Sequence, residues 1–211
     1  MRSLSKSIHL LTLLAACGAV HAGTFYTDLA SFTAAIDPGY YLETFNTRPQ
    51  YTFDGSPVAL AGNGFSYTAG ASGGFYDEGP PGDVWLSTNG PDIISYTFTS
   101  GNIKAVGGYF FATGSAGNPT PATITLTFSD GGSTALTNPT NTTFTGYISS
   151  AVLTSLVQTP SGLGNLYSTA NDVYVGVPAT AAAVPEPSAF LLSAAGLGLF
   201  CRRLRRTHSQ S

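Results

Sequence analysis

The chain has 211 residues, of which 9% are charged and 43% hydrophobic, and its formal net charge is −3. Its histidines are His9, His21 and His208 and its cysteines Cys17 and Cys201, so the long middle of the chain has neither residue type. That excludes Ser-His and Cys-His nucleophile pairs, the usual zinc and copper ligand sets and any disulfide from the middle. Between Gly23 and Ala183 ten acids stand against Arg48 and Lys104, a formal −8, which repels phosphate backbones and argues against nucleic acid as a partner.

In chain order, Arg2 and Lys6 precede an apolar run from Ile8 to Ala16, and Val20-His21-Ala22 follows. A basic start, a short apolar stretch and small residues at two positions spaced by one are the pattern of a secretory signal peptide, expected over residues 1–22 with cleavage between Ala22 and Gly23. Leu14-Ala15-Ala16-Cys17 offers a competing reading as a lipobox, with Cys17 as the lipidated residue.

Leu29, Phe32 and Ile36 have helical spacing, predicting a short helix from Asp28 to Ile36, capped by Thr27 and stopped by Asp37-Pro38-Gly39. Strands are expected from there on. Tyr40–Phe45 comes first, then a hairpin of Pro57–Ala61 and Gly64–Ala69 around Gly62-Asn63. Ala69–Gly82 reads as a long Gly/Pro loop. Asp83–Ser87, Asp92–Thr99, Ile103–Thr113, Ala122–Phe128 and Ser133–Leu136 follow, the last two joined by an Asp130-Gly131-Gly132 turn. Gly146–Ser149, Ala151–Thr159 and Val173–Val177 complete about ten or eleven short strands. In Ala122–Phe128 the apolar Ile124, Leu126 and Phe128 alternate with threonines, as in a half-buried strand. The fold class expected for residues 23–178 is all-β, a jelly-roll-like β-sandwich with a short N-terminal helix. About 160 residues suffice for one sizeable core. Residues 179–184 read as a linker.

Two sets of residues within this body are candidates for function. The loop residues Phe75, Tyr76, Asp77 and Glu78, with Trp85 nearby, combine aromatic faces with carboxylates, the chemistry of a sugar platform. Against this, the Val84-Trp85-Leu86 strand is apolar, and Trp85 reads better as core. The acids show no motif for the paired carboxylates of a glycosidase. Asn141-Thr142-Thr143 has the form of a glycosylation sequon and is read as turn residues.

The end of the chain has a different organisation. Pro185, Glu186 and Pro187 form a stiff, extended triplet. An uncharged run extends from Ser188 to Cys201, and Arg202, Arg203, Arg205 and Arg206 close it. As a helix the run would span roughly 21 Å, short of the roughly 30 Å of a hydrocarbon core. That length also suits a C-terminal amphipathic or core helix with a basic end, but snorkelling arginines extend the reach and the run has no polar face, so a membrane-spanning helix with the arginines on the cytoplasmic side is expected.

In that order, a Pro-Glu-Pro motif, a short apolar stretch and an Arg-rich end resemble the PEP-CTERM sorting signal of Gram-negative bacteria that make exopolysaccharide. The resemblance covers residues 185–206, leaving 207–211 as a tail. It implies that the chain is a substrate of exosortase, a membrane-embedded transpeptidase-like enzyme, as a transient partner. More loosely, the helix before Leu42-Glu43-Thr44-Phe45, with Ala105–Phe110, Phe144–Tyr147 and Asn171–Tyr174, resembles the folded parts common in such proteins. The order of elements is also similar to that of jelly-roll carbohydrate-binding modules, in which an early Glu and a late Asp hold structural calcium. That resemblance implies Glu43 and Asp172 as a calcium (Ca2+) pair; the alternative is two solvated strand-edge carboxylates.

The expectation is therefore an exported, non-catalytic extracytoplasmic β-sandwich. It would be membrane-anchored until processed and then associated with the surface or an exopolysaccharide matrix, with polysaccharide as a candidate partner. The alternatives are a polysaccharide-active hydrolase and an uncleaved, membrane-anchored glycan-binding protein.

Overall fold

The computed structural model describes residues 23–162 and 164–180. The chain divides into two compact units after Pro178, and the first of them holds the fold. Its elements are β1 (Thr24–Tyr26), α1 (Leu29–Ala35), β2 (Tyr41–Glu43), β3 (Phe53–Asp54), β4 (Val58–Gly62), β5 (Phe65–Gly70), β6 (Phe75–Glu78) and β7 (Trp85–Thr88). They continue with β8 (Ile94–Phe98), β9 (Ala105–Thr113), β10 (Thr123–Phe128), β11 (Ser133–Thr137), β12 (Phe144–Ile148), β13 (Ser155–Pro160) and β14 (Tyr167–Gly176).

Two antiparallel sheets form a β-sandwich. One runs β1-β12-β9-β14-β7-β6-β3, with β2 added on β14; the other runs β11-β10-β13-β8-β5-β4. The core lies between them. Phe75, Leu86, Val106, Phe110, Ala170, Val173 and Val175 of the first sheet meet Tyr67, Ile94, Tyr96, Ile124, Leu126 and Leu156 of the second. One polar side chain crosses this core. Gln158 of β13 donates its amide N–H groups to the Phe111 and Thr169 carbonyls of the opposite sheet, each at 3.0 Å, and accepts from the Tyr96 hydroxyl at 3.3 Å. A buried amide is tolerated when it is satisfied in this way.

The outer face of the first sheet is divided. One half is covered by α1, whose Phe32 is fully buried against Phe144 and Tyr174. The sheet makes room with glycines: a Cβ on Gly107 would lie 2.8 Å from the Phe144 ring and 2.9 Å from Phe32. The other half, over β14, β7 and β6, carries the site described below.

Most expected elements are present, with corrections. The cap of α1 is Asp28, not Thr27: Asp28 is extended (φ −130°, ψ 128°) and its Oδ1 accepts the Ser31 N–H at 2.8 Å. The β4–β5 turn is Asn63-Gly64, one position later than read, because these residues hold the positive φ of 52° and 82° that a tight hairpin needs. The stretch read as a long loop contains β6, bracketed by Gly74 and Gly79, both at positive φ. β14 begins six residues earlier than expected. A bulge at Asp172 (φ 47°) breaks its register with β9 and hides its alternation.

Candidate functional site

Because β6 is a strand, its side chains alternate between faces. Phe75 and Asp77 point inward and are fully buried, whereas Tyr76 and Glu78 point outward. The four residues expected to act together are therefore divided into two pairs.

The inward pair is structural. Arg48 Nε donates to Asp77 Oδ1 and Oδ2 at 3.0 and 2.9 Å, and Arg48 Nη2 donates to Asp54. Burial pushes the Asp77 carboxyl up to about 6, against the opposing pull of the guanidinium. Asp77 is thus an anchor for the 46–54 segment and is unavailable to a ligand.

The outward pair lies in a cleft. Register places Glu78 opposite Trp85 and Tyr76 opposite both Ser87 and Phe53, so these residues share one face. Trp85 is 4% exposed, its ring edge-on to Phe111 at 5.1 Å, and its Nε1 donates to Asp83 at 3.0 Å. It is a packed wall, as the core reading expected, and it also borders the cleft.

Two cavities meet at Glu78. One, of about 350 Å³, is bounded by Tyr51, Trp85, Asn118, Pro119 and Asn141; the other, of about 200 Å³, by Tyr76, Thr88, Asn89, Ser115 and Tyr167. The loop between β9 and β10 roofs the junction, and a Cβ on Gly117 would lie 3.5 Å from Glu78. The 50–51 segment closes one side: the Tyr51 N–H donates to the Asp77 carbonyl at 2.7 Å and its hydroxyl to the Gly79 carbonyl at 3.2 Å.

Glu78 Oε2 is buried and accepts no hydrogen bond. Burial pushes its carboxyl above the usual range, while the hydroxyls of Thr113 and Ser87 beside it pull the other way. These two and Thr169 form a closed hydroxyl cluster beneath it, with oxygens 2.9 to 3.3 Å apart. The sequence reading missed Tyr51, Tyr167 and this cluster. The period-two spacing of Trp85 and Ser87, and of Thr113 in β9, was the available signal, but nothing in it told which face would be open.

Tyr51, which borders the larger cavity, is 60% exposed, and Phe53 is 56% exposed. Phe53 shares the outer face with Tyr76.

Glu43 and Asp172 are not brought together. The strands are neighbours as expected, with Glu43 opposite Val173. Val173 faces the inter-sheet core, and Glu43 on that side accepts from the Tyr41 hydroxyl and, at 2.7 Å, from the Phe45 N–H. The bulge turns Asp172 to the other face. There burial first, and the charge of Asp83 second, push its carboxyl up; Tyr109 and Tyr174 beside it are raised by burial first and by its charge second. The pair does not fit one calcium ion. Among the described residues no group of three or more His, Cys, Asp or Glu is placed to hold a metal.

Asn141, Thr142 and Thr143 form a turn closed by the Thr140, Thr142 and Thr143 hydroxyls. Gly23 is the first described residue. Ala22, the Pro185-Glu186-Pro187 triplet, the apolar run and Arg202, Arg203, Arg205 and Arg206 lie outside the described residues. Among the described residues no helix is long and apolar enough to cross a membrane.

Comparison with known families adds one finding. The sequence model of the PEP-CTERM protein-sorting motif matches residues 183–206, so the chain carries that motif where the triplet, apolar run and arginines were read. Comparisons with curated proteins and with solved structures returned no match. The motif implies an exported protein, sorted to the envelope or surface through processing by exosortase.

Proposed function

We propose that this protein is a non-catalytic, exported β-sandwich of a Gram-negative envelope. Residues 1–22 direct its secretion, and the apolar run before Arg202 anchors the precursor until exosortase cuts near Pro185-Glu186-Pro187. The sandwich then resides at the surface or in the exopolysaccharide matrix. The observation that carries this reading is the sorting motif at residues 183–206. The cleft is consistent with a non-catalytic role: among the described residues, Glu78 alone brings a carboxylate to either of its two cavities, where glycoside hydrolysis uses two flanking carboxylates.

The test is fractionation of producing cells with and without a functional exosortase, read by intact mass. With the enzyme, mature protein should lack Arg206 and leave the inner membrane. Without it, or with Pro185, Glu186 and Pro187 replaced by Ala, the precursor should keep Arg206 and remain there. Mature surface protein that retains Arg206 in exosortase-positive cells would sink the proposal and favour a permanently anchored protein.

A further inference from the structure

We propose that the cleft on either side of Glu78 is a binding site for a neutral, hydroxyl-rich sugar chain, held across two adjoining subsites. The assignment rests on the export reading only for where such a chain is met.

The two cavities, about 350 and 200 Å³, share Glu78 as their common wall. Together they reach the size range of small-ligand sites, roughly 300 to 1,000 Å³. The chemistry of the walls selects the ligand. The Glu78 carboxylate walls both cavities, and when charged it accepts hydrogen bonds without giving any, so a ligand beside it must bring donors. Hydroxyl groups are such donors. Around it stand side-chain amides and hydroxyls that both give and accept, Asn118 and Asn141 on one side and Asn89 and Thr88 on the other. Tyr51 is the exposed aromatic face, and an aromatic ring stacks on the apolar face of a pyranose.

Charge excludes the acidic alternative. No Lys or Arg lines either cavity. Arg48 is engaged by Asp77 and Asp54, and Lys104 donates to the Ser150 carbonyl at 3.4 Å. A uronate carboxylate would meet Glu78 with nothing to neutralise it. A protein partner is disfavoured by the form of the site, which is concave and polar at its centre, not a flat apolar patch.

The chain has a single tryptophan, Trp85, and it borders the larger cavity. Its emission therefore reports on the cleft without labelling. The full-length chain in detergent would be titrated with cellohexaose, laminarihexaose and maltohexaose, and with hexagalacturonate as the acidic comparator, by tryptophan emission and calorimetry. At least one neutral oligosaccharide should shift the emission saturably, and the acidic one should bind at least about tenfold more weakly. Glu78→Gln, which keeps the shape, and Tyr51→Asn, which keeps a residue suited to the positive φ of 57°, should each weaken binding by about tenfold. Thermal melting checks that each variant is folded. Absence of binding by every neutral probe, equal binding of the acidic one, or binding unchanged in both folded variants would overturn the proposal. These outcomes are independent of the exosortase test: a chain that binds sugar in solution and is mis-sorted fails only the first reading, and a correctly sorted chain that binds none fails only this one.

Discussion

Arg48 donates from one nitrogen, Nε, to both carboxylate oxygens of the fully buried Asp77. A second nitrogen of the same guanidinium reaches Asp54, so one of the two basic residues in the middle of the chain ties three segments together. Removing one partner of a buried pair leaves the other charge uncompensated. Arg48→Met should therefore destabilise the fold by about 3 to 5 kcal/mol at neutral pH. The loss should shrink on acidification, because Asp77 without its cation takes up a proton still more readily. Urea unfolding at pH 5 and pH 7.5 checks this; an equal loss at both would mean that the pair contributes no charge term.

The unmodified protein should have its stability maximum on the acid side of neutrality. Asp77, Glu78 and Asp172 are all raised, first by burial. A group that holds its proton more tightly when folded contributes stability that is complete below its unfolded pKa, about 4, and is lost as pH rises through the folded value, about 6 for Asp77. Asp92 and Asp130 are lowered, against burial, by hydrogen bonds from Ser72 and Ser149 among others. Their contribution is present above about 4 and disappears as pH falls below it. Unfolding free energy measured from pH 3 to 8 should peak between these limits, and a plateau or maximum at pH 7 to 8 would contradict the assignment.

Glu78→Gln should gain stability at neutral pH. The charged carboxylate is partly buried with an unpartnered oxygen, and its neutral isostere avoids that cost, by about 1 kcal/mol. The gain should fade as pH falls and the native residue protonates. A variant less stable than the parent at pH 7.5 would show that Glu78 is held by interactions absent from this structure.

Gly107→Val should unseat α1. The added atoms would occupy the space of the Phe32 and Phe144 rings, and overpacking of this kind costs about 1 to 3 kcal/mol. Phe32→Ala in the same background should not add its full separate loss, since both changes act on one contact. Strict additivity in a double-mutant cycle would place the two sites apart.

Gln158→Leu removes a side chain that donates across the core to both the Phe111 and Thr169 carbonyls and leaves the Tyr96 hydroxyl without its acceptor. A loss of about 1 to 3 kcal/mol is expected, measured by thermal or urea unfolding. A neutral outcome would indicate that apolar packing replaces these bonds fully.

Much of this architecture was legible in advance. Ile124, Leu126 and Phe128 alternate cleanly with threonines, and β10 lies where that pattern put it. Leu29, Phe32 and Ile36 marked the helix face that is buried or partly buried. The misses share a cause. β1, β3 and β6 are two to four residues long, too short for any period to show, and they exist because a neighbouring strand offers its free edge. The site was half legible for the same reason. Aromatics beside carboxylates drew attention to Phe75–Glu78, but only strand geometry tells that Asp77 turns to Arg48 while Glu78 turns to the cleft. Neighbourhood of β2 and β14 was also foreseeable; the bulge that sends Asp172 to the far face was not, since Asn171-Asp172 reads as ordinary strand-end polarity.

β14, the last strand among the described residues, lies in the interior of its sheet, bonded to β9 along most of its length and to β7 and β2 besides. The larger sheet is therefore three separate pieces, β1-β12-β9, β7-β6-β3 and β2, until Gly176 has been made, and few of its pairings are local. Chains with such topology fold slowly. The sheet is thus completed by a strand that ends at Gly176, seven residues before the sorting motif begins at residue 183, so its closure waits until nearly all of the chain before that motif has been made.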